Sequence, residues 1–199
     1  MATDNFNRAD SADLGASWDV MTGETAMKIL GNACYPSSVT SDATESYNAV
    51  AFANDQYSQV LVASIGADGI GAGVGIGLRM ATGARTYYRV VACLSGSEIA
   101  KQVAGTYTQL GTNATAWVIG DTLYVSVSGT TIQVKRNGSN LFSATDSAIA
   151  SGRAGVSHSS NTTADSKVDD WDGGDLAAAV TRVPPTVVVS QAVHRTASW

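Results

Sequence analysis

Residues 120–176 place an apolar side chain at every second position and break the pattern with tight-turn signals, a combination that admits antiparallel sheet and little else. Leu123, Val125 and Val127 alternate with Tyr124, Ser126 and Ser128, so one face of this segment belongs in a core. Gly129 turns the chain, Ile132 and Val134 alternate with Gln133 and Lys135, and Asn137-Gly138 follows. That dipeptide tolerates positive φ at both centres of a type I′ turn, which predicts a hairpin. Further breaks at Asp146, Gly152 and Gly155 precede a closing strand that contains Val168 and Trp171.

The rest of the chain repeats the theme. Strands are expected at 27–33, 47–52, 57–65, 86–94, 99–103 and 114–119, the third of them central because Val60, Leu61 and Val62 are consecutive. Short strands at this spacing, with no long amphipathic helix between them, predict an all-β, two-sheet antiparallel sandwich. A chain of 199 residues is long enough for one such core, over residues 1–176, plus a tail. Cys34 and Cys93 are expected as buried thiols, because a core of this size needs no staple.

Residues 69–78 carry glycine at every second position. Neither phosphate-loop spacing can be laid on them. Alternation instead puts Ile70, Val74, Ile76 and Leu78 on one face and bare backbone on the other, where a second backbone can approach closely. Gly71, Gly73 and Gly75 are therefore candidate assembly positions. After Leu176, an Ala-rich link and Pro184-Pro185 lead to a run of β-formers, Val187, Val188, Val189 and Val193, and to Trp199. Residues 177–199 read as an extended arm that adds to a neighbour's sheet edge.

The segments GDTLYVSVSGTTIQVKRNGSNLFSATDSAIASGRAGVSHSS and VDDWDGGDL, with Asp4-Asn5-Phe6-Asn7-Arg8, Leu14-Gly15 and Trp18 near the start, resemble concanavalin A-like jelly rolls over roughly residues 4–176. That superfamily includes laminin G-like modules, legume-type lectins and glucanases. The resemblance implies a jelly-roll sandwich whose first strand pairs with the closing strand around Trp171. Several members bind calcium near this junction, which makes Asp4, Asp169 and Asp170 candidate ligands; a solvated acidic turn is the competing reading.

Chemistry is sparse. Glu24, Glu45 and Glu98 are isolated in sequence, and no carboxylate pair has the arrangement that glycoside hydrolysis requires, so the expectation is a non-enzymatic protein. His158 and His194 have no Cys or His nearby, and His158 reads as a solvent-facing loop residue. Tyr87, Trp117 and Tyr124, with Tyr88 and Tyr107, are candidates to line a glycan groove.

A net charge of −5 gives no basic footprint for nucleic acid, and no apolar run is long enough to cross a bilayer. The start of the chain lacks a basic segment followed by an apolar one, so either the start has been trimmed or synthesis in a cytoplasm is expected. Together with the arm, these features resemble bacteriophage virion proteins that carry this fold, as capsid decoration or tail-associated subunits. The expected partners are copies of itself, other virion proteins and a host surface glycan. A carbohydrate-binding lectin-like module is the alternative.

Overall fold

A computed structural model describes residues 1–66, 69–159 and 166–177. The arm residues Val187, Val188, Val189, Val193 and Trp199 lie outside them. Fifteen strands form in the described part: β1 Ala2–Asp4, β2 Trp18–Val20, β3 Met27–Ile29, β4 Cys34–Pro36, β5 Ala43–Tyr47, β6 Gln56–Ser64, β7 Gly73–Ala81, β8 Thr86–Cys93, β9 Gly96–Val103, β10 Thr106–Asn113, β11 Thr122–Ser128, β12 Thr131–Arg136, β13 Ser139–Thr145, β14 Arg153–Ser159 and β15 Lys167–Asp175. One sheet runs β13-β12-β11-β6-β15-β4-β3, with β1 also paired to β15; the other runs β10-β9-β8-β7-β14-β5-β2. Strand pairing is antiparallel in both, and the result is the expected jelly-roll sandwich.

The core forms where alternation said it would. Leu123, Val125 and Val127 of β11 and Ile132 and Val134 of β12 are fully buried and pack in one cluster with Val74, Ile76 and Leu78 of β7. Asn137 and Gly138 take φ of 51° and 80° between β12 and β13, the two positive values a type I′ hairpin needs. The ends also close as expected, with Asp4 opposite Trp171. Trp171 lies 4.8 Å from Trp18, edge to face. Cys34 and Cys93 are both buried thiols.

Several expectations need correction. The opening strand stops at Asp4, because the Phe6 amide turns back to Asp4 Oδ1 and Phe6 itself takes a positive φ. Strand β5 ends at Tyr47 and does not run on to residue 52. Residues 114–119 form no strand: Trp117 is buried, while Val118 and Ile119 point outward from a turn closed by Asp121. Ile70 lies in a turn, 40% exposed, and does not share the buried face of Val74. Strand β10 adds to the expected strands; its residues are mostly exposed and show no apolar alternation.

The glycines do make room for backbone, and that backbone is β8 of the same sheet. A Cβ at Gly73 would sit 2.2 Å from the Ala92 carbonyl oxygen, and one at Gly75 would sit 1.9 Å from that of Val90. Gly71 clears the Glu98 carboxylate, whose Oε2 would be 2.9 Å from an added Cβ. The close approach that the alternation announces is thus met within the chain. Gly73→Val is expected to cost about 2 kcal/mol by overpacking, and Ala72→Val, half-buried, a few tenths at most. Thermal melts of the two variants check this, and equal effects would contradict the close approach.

Candidate functional site

Register assigns the two faces of the seven-stranded sheet. Val74, Ile76, Val90 and Val156 point between the sheets. The intervening residues point outward: Gly73, Gly75 and Gly77 on β7, Tyr87 and Arg89 on β8, Glu98, Ala100 and Gln102 on β9. Glycine and alanine leave the middle of this outer face low, while longer polar side chains stand around it. A cleft of about 620 Å³ results, lined among others by Asp42, Arg85, Arg89, Glu98, Gln102 and Tyr107.

The polar lining is held in place by its own hydrogen bonds. Asp42 Oδ2 accepts from Arg85 Nη2 at 3.0 Å, Arg89 Nη1 at 3.2 Å and Gln102 Nε2 at 3.3 Å. Behind it, Glu24 accepts from Arg85 Nε at 2.5 Å and from the Tyr87 hydroxyl. Glu98 accepts from the Tyr107 hydroxyl at 2.8 Å and from Gln109 Nε2 at 2.7 Å. Burial, reinforced by Glu98, pushes the Tyr107 hydroxyl up to about 12, so it remains a donor at any physiological pH. Its ring stays 47% exposed at the cleft, with the Arg89 guanidinium 5.5 Å from the ring centre. Arg89 Nε and Gln102 Oε1 are buried with no hydrogen-bond partner among the described residues.

The residues singled out from sequence are scattered by the fold. Tyr87 is fully buried in a small cluster with Met21 and Met80, and Trp117 is fully buried against the core, so neither presents a ring face to a sugar. Tyr124 lies on the other sheet, stacked on Tyr57 at 5.4 Å. Of the aromatics considered, Tyr107 is the one in the cleft.

Asp4 is already filled by Arg8 at 2.6 Å, Trp18 Nε1 at 2.9 Å and the Phe6 amide. Asp170 is exposed, and burial with two like charges raises Asp169. No group of three or more His, Cys, Asp or Glu that could hold a metal ion occurs among the described residues. His158, expected in a solvent-facing loop, is fully buried in β14.

Alternation within β8 and β9 could have flagged Arg89, Glu98 and Gln102 as charged or polar positions on one face of each strand. Nothing local shows that these two faces adjoin.

No family model matches the chain, and neither does any curated protein sequence. Solved structures do. The carbohydrate-binding module CBM66 from Bacillus subtilis superposes with a TM-score of 0.58 at 15% identity, covering 82% of this chain and 95% of that one. The exoplasmic/lumenal domain of VIP36, in its Ca2+/Man3GlcNAc-bound form, gives 0.59 at 11% identity over 92% and 93%. The GH43 BlXynB protein from Bacillus licheniformis gives 0.58 at 11% over 87% of this chain, which spans 39% of that chain. The protein thus has a two-sheet antiparallel jelly-roll fold, and shares it with these structures.

Proposed function

We propose that this protein is a non-catalytic, lectin-like module that binds carbohydrate in the cleft on the outer face of its seven-stranded sheet. The observation that carries the reading is the cleft itself: an exposed tyrosine ring beside a buried, pre-arranged set of carboxylate, amide and guanidinium groups. Sugars offer an apolar ring face for stacking and hydroxyls that donate and accept at once, and such planar groups recognise them with little ordering cost. The fold's likeness to a carbohydrate-binding module and to a domain solved with bound Man3GlcNAc supports the same reading. Asp42 is tied to two arginines and a glutamine, which leaves Glu98 without a second carboxyl to share acid and base roles.

The virion building block expected from the sequence depends on residues 177–199, outside the described part, and on glycines whose close neighbour is β8 of the same sheet. The carbohydrate reading rests on described residues and is preferred.

A glycan array should show retention of at least one sugar class by the wild type. Tyr107→Ala should weaken that binding by about tenfold or more, as loss of an aromatic anchor does, while Tyr107→Phe keeps most of it. An array on which the wild type retains nothing overturns the reading.

A further inference from the structure

We infer that the cleft selects sugars without a carboxylate and rejects acidic ones, and that Glu98 makes the choice; this rests on the carbohydrate reading of the same cleft. The argument begins with a charge count. Arg85 pairs with Glu24 and Asp42, and Arg89 pairs with Asp42. Two guanidinium groups therefore face two carboxylates. Glu98 is a third carboxylate lining or backing the cleft, and the donors it accepts from, Tyr107 and Gln109, are neutral. Among the described residues one negative charge is left in excess, on a residue only 2% exposed, where salt screens it weakly.

The chemistry of the two ligand classes points the same way. A carboxylate only accepts, so it can make no hydrogen bond with Glu98 and would place a like charge beside it. Hydroxyls donating to Glu98 instead gain the strength of a charge-assisted bond. Gly71 keeps this arrangement open, since any side chain there would press on Glu98 Oε2.

Affinity electrophoresis tests the inference with β-1,4-mannan against polymannuronate and amylose against its C6-oxidised counterpart, pairs that share their linkage and differ by oxidation at C6. The wild type should be retarded by a neutral member and bind its acidic counterpart about 100-fold more weakly, as like-charge contact dictates. Glu98→Gln should keep its melting temperature, because the Tyr107 hydroxyl and the Gln109 amide can each turn to suit an amide. It should narrow the neutral-to-acidic ratio at least tenfold, by about 1.4 kcal/mol. Asp170→Asn makes the same change in net charge on the other sheet and should leave the ratio alone. Acidic polymers bound as tightly as neutral ones, or the two variants shifting the ratio equally, would overturn the selection while keeping the carbohydrate reading. Retardation by none of the four, with the glycan array also blank, overturns both.

Discussion

Arg79→Met is expected to lower the unfolding free energy by about 3 to 5 kcal/mol, because three backbone carbonyls lose their charged donor, at roughly 1 to 2 kcal/mol each. Arg79 follows Leu78 at a bulge where the register with β8 and with β14 slips, and it takes a φ of 47°, a strained value for a residue with a Cβ. Gly152 makes the bulge possible: a Cβ there would sit 2.3 Å from the Arg79 carbonyl carbon. The bulge sends the guanidinium to one end of the sandwich, where Nε donates to Asn54 O at 2.8 Å, Nη1 to Ile149 O at 2.8 Å and Nη2 to Gly129 O at 2.9 Å. Three loops are thereby fastened to one side chain that is 4% exposed.

The Arg79 amide is held as well. Gln56 Oε1 accepts from it at 3.1 Å, while Gln56 Nε2 donates to Ala53 O and Gly152 O. Methionine keeps the volume and loses all five guanidinium donors, so buried carbonyls are left unmet. Arg153→Met removes only a surface pair with Asp19 and should cost less than about 1 kcal/mol. Urea denaturation of the two variants separates the cases, and comparable small losses would show that the loops hold without the clamp.

Neither Arg79 nor the cleft was readable beforehand, for one physical reason. The β11–β12–β13 meander was legible because its alternation and its Asn-Gly turn are local, and each is set by a few consecutive residues. Arg89 and Glu98 share a face only because β8 pairs with β9 in a register that puts Val91 opposite Glu98, and Asp42 joins them from beyond β14. Pairing of that kind leaves no mark in a single strand's pattern. The glycine run announced a close approach and could not say that β8 was the approaching strand. Trp117-Val118-Ile119 looked like a buried run, yet only Trp117 goes inward, under the guanidinium of Arg136 at 5.6 Å. Ser157-His158-Ser159 looked like a polar loop, but β14 lies inside the sheet between β7 and β5, which buries all three.

That buried histidine and Glu45 should set the acid limb of stability in opposite senses. Among the described residues His158 has no hydrogen-bond partner on either ring nitrogen, and burial depresses it from 6.5 to about 4. Between those values the unfolded chain binds a proton that the folded one refuses, so His158 favours the fold above pH 6.5 and loses that contribution as pH falls toward 4. Glu45 is 2% exposed and accepts from the Met27 amide at 2.6 Å; burial raises it from 4.5 to about 7. There the folded chain keeps a proton that the unfolded one releases, so stability falls as pH rises from 4.5 toward 7. Each contribution amounts to about 3 kcal/mol over its full window, at 1.36 kcal/mol per unit.

The two slopes cancel where the windows overlap, and the wild-type melting temperature should be nearly flat from about pH 4.5 to 6.5. Below that range His158 is joined by Asp121 and Asp146, whose pairing with Arg136 and Lys101 and hydrogen bonding hold them below the usual carboxylate range, and stability should drop steeply. His158→Leu removes one slope without stranding a polar group, so its melting temperature should fall steadily as pH rises through the window. Glu45→Gln keeps the acceptor for Met27 and removes the other slope, so its melting temperature should climb. Scanning calorimetry at half-unit steps distinguishes these curves from the wild type's, and two variants that both stayed flat would mean that neither group changes its protonation on folding.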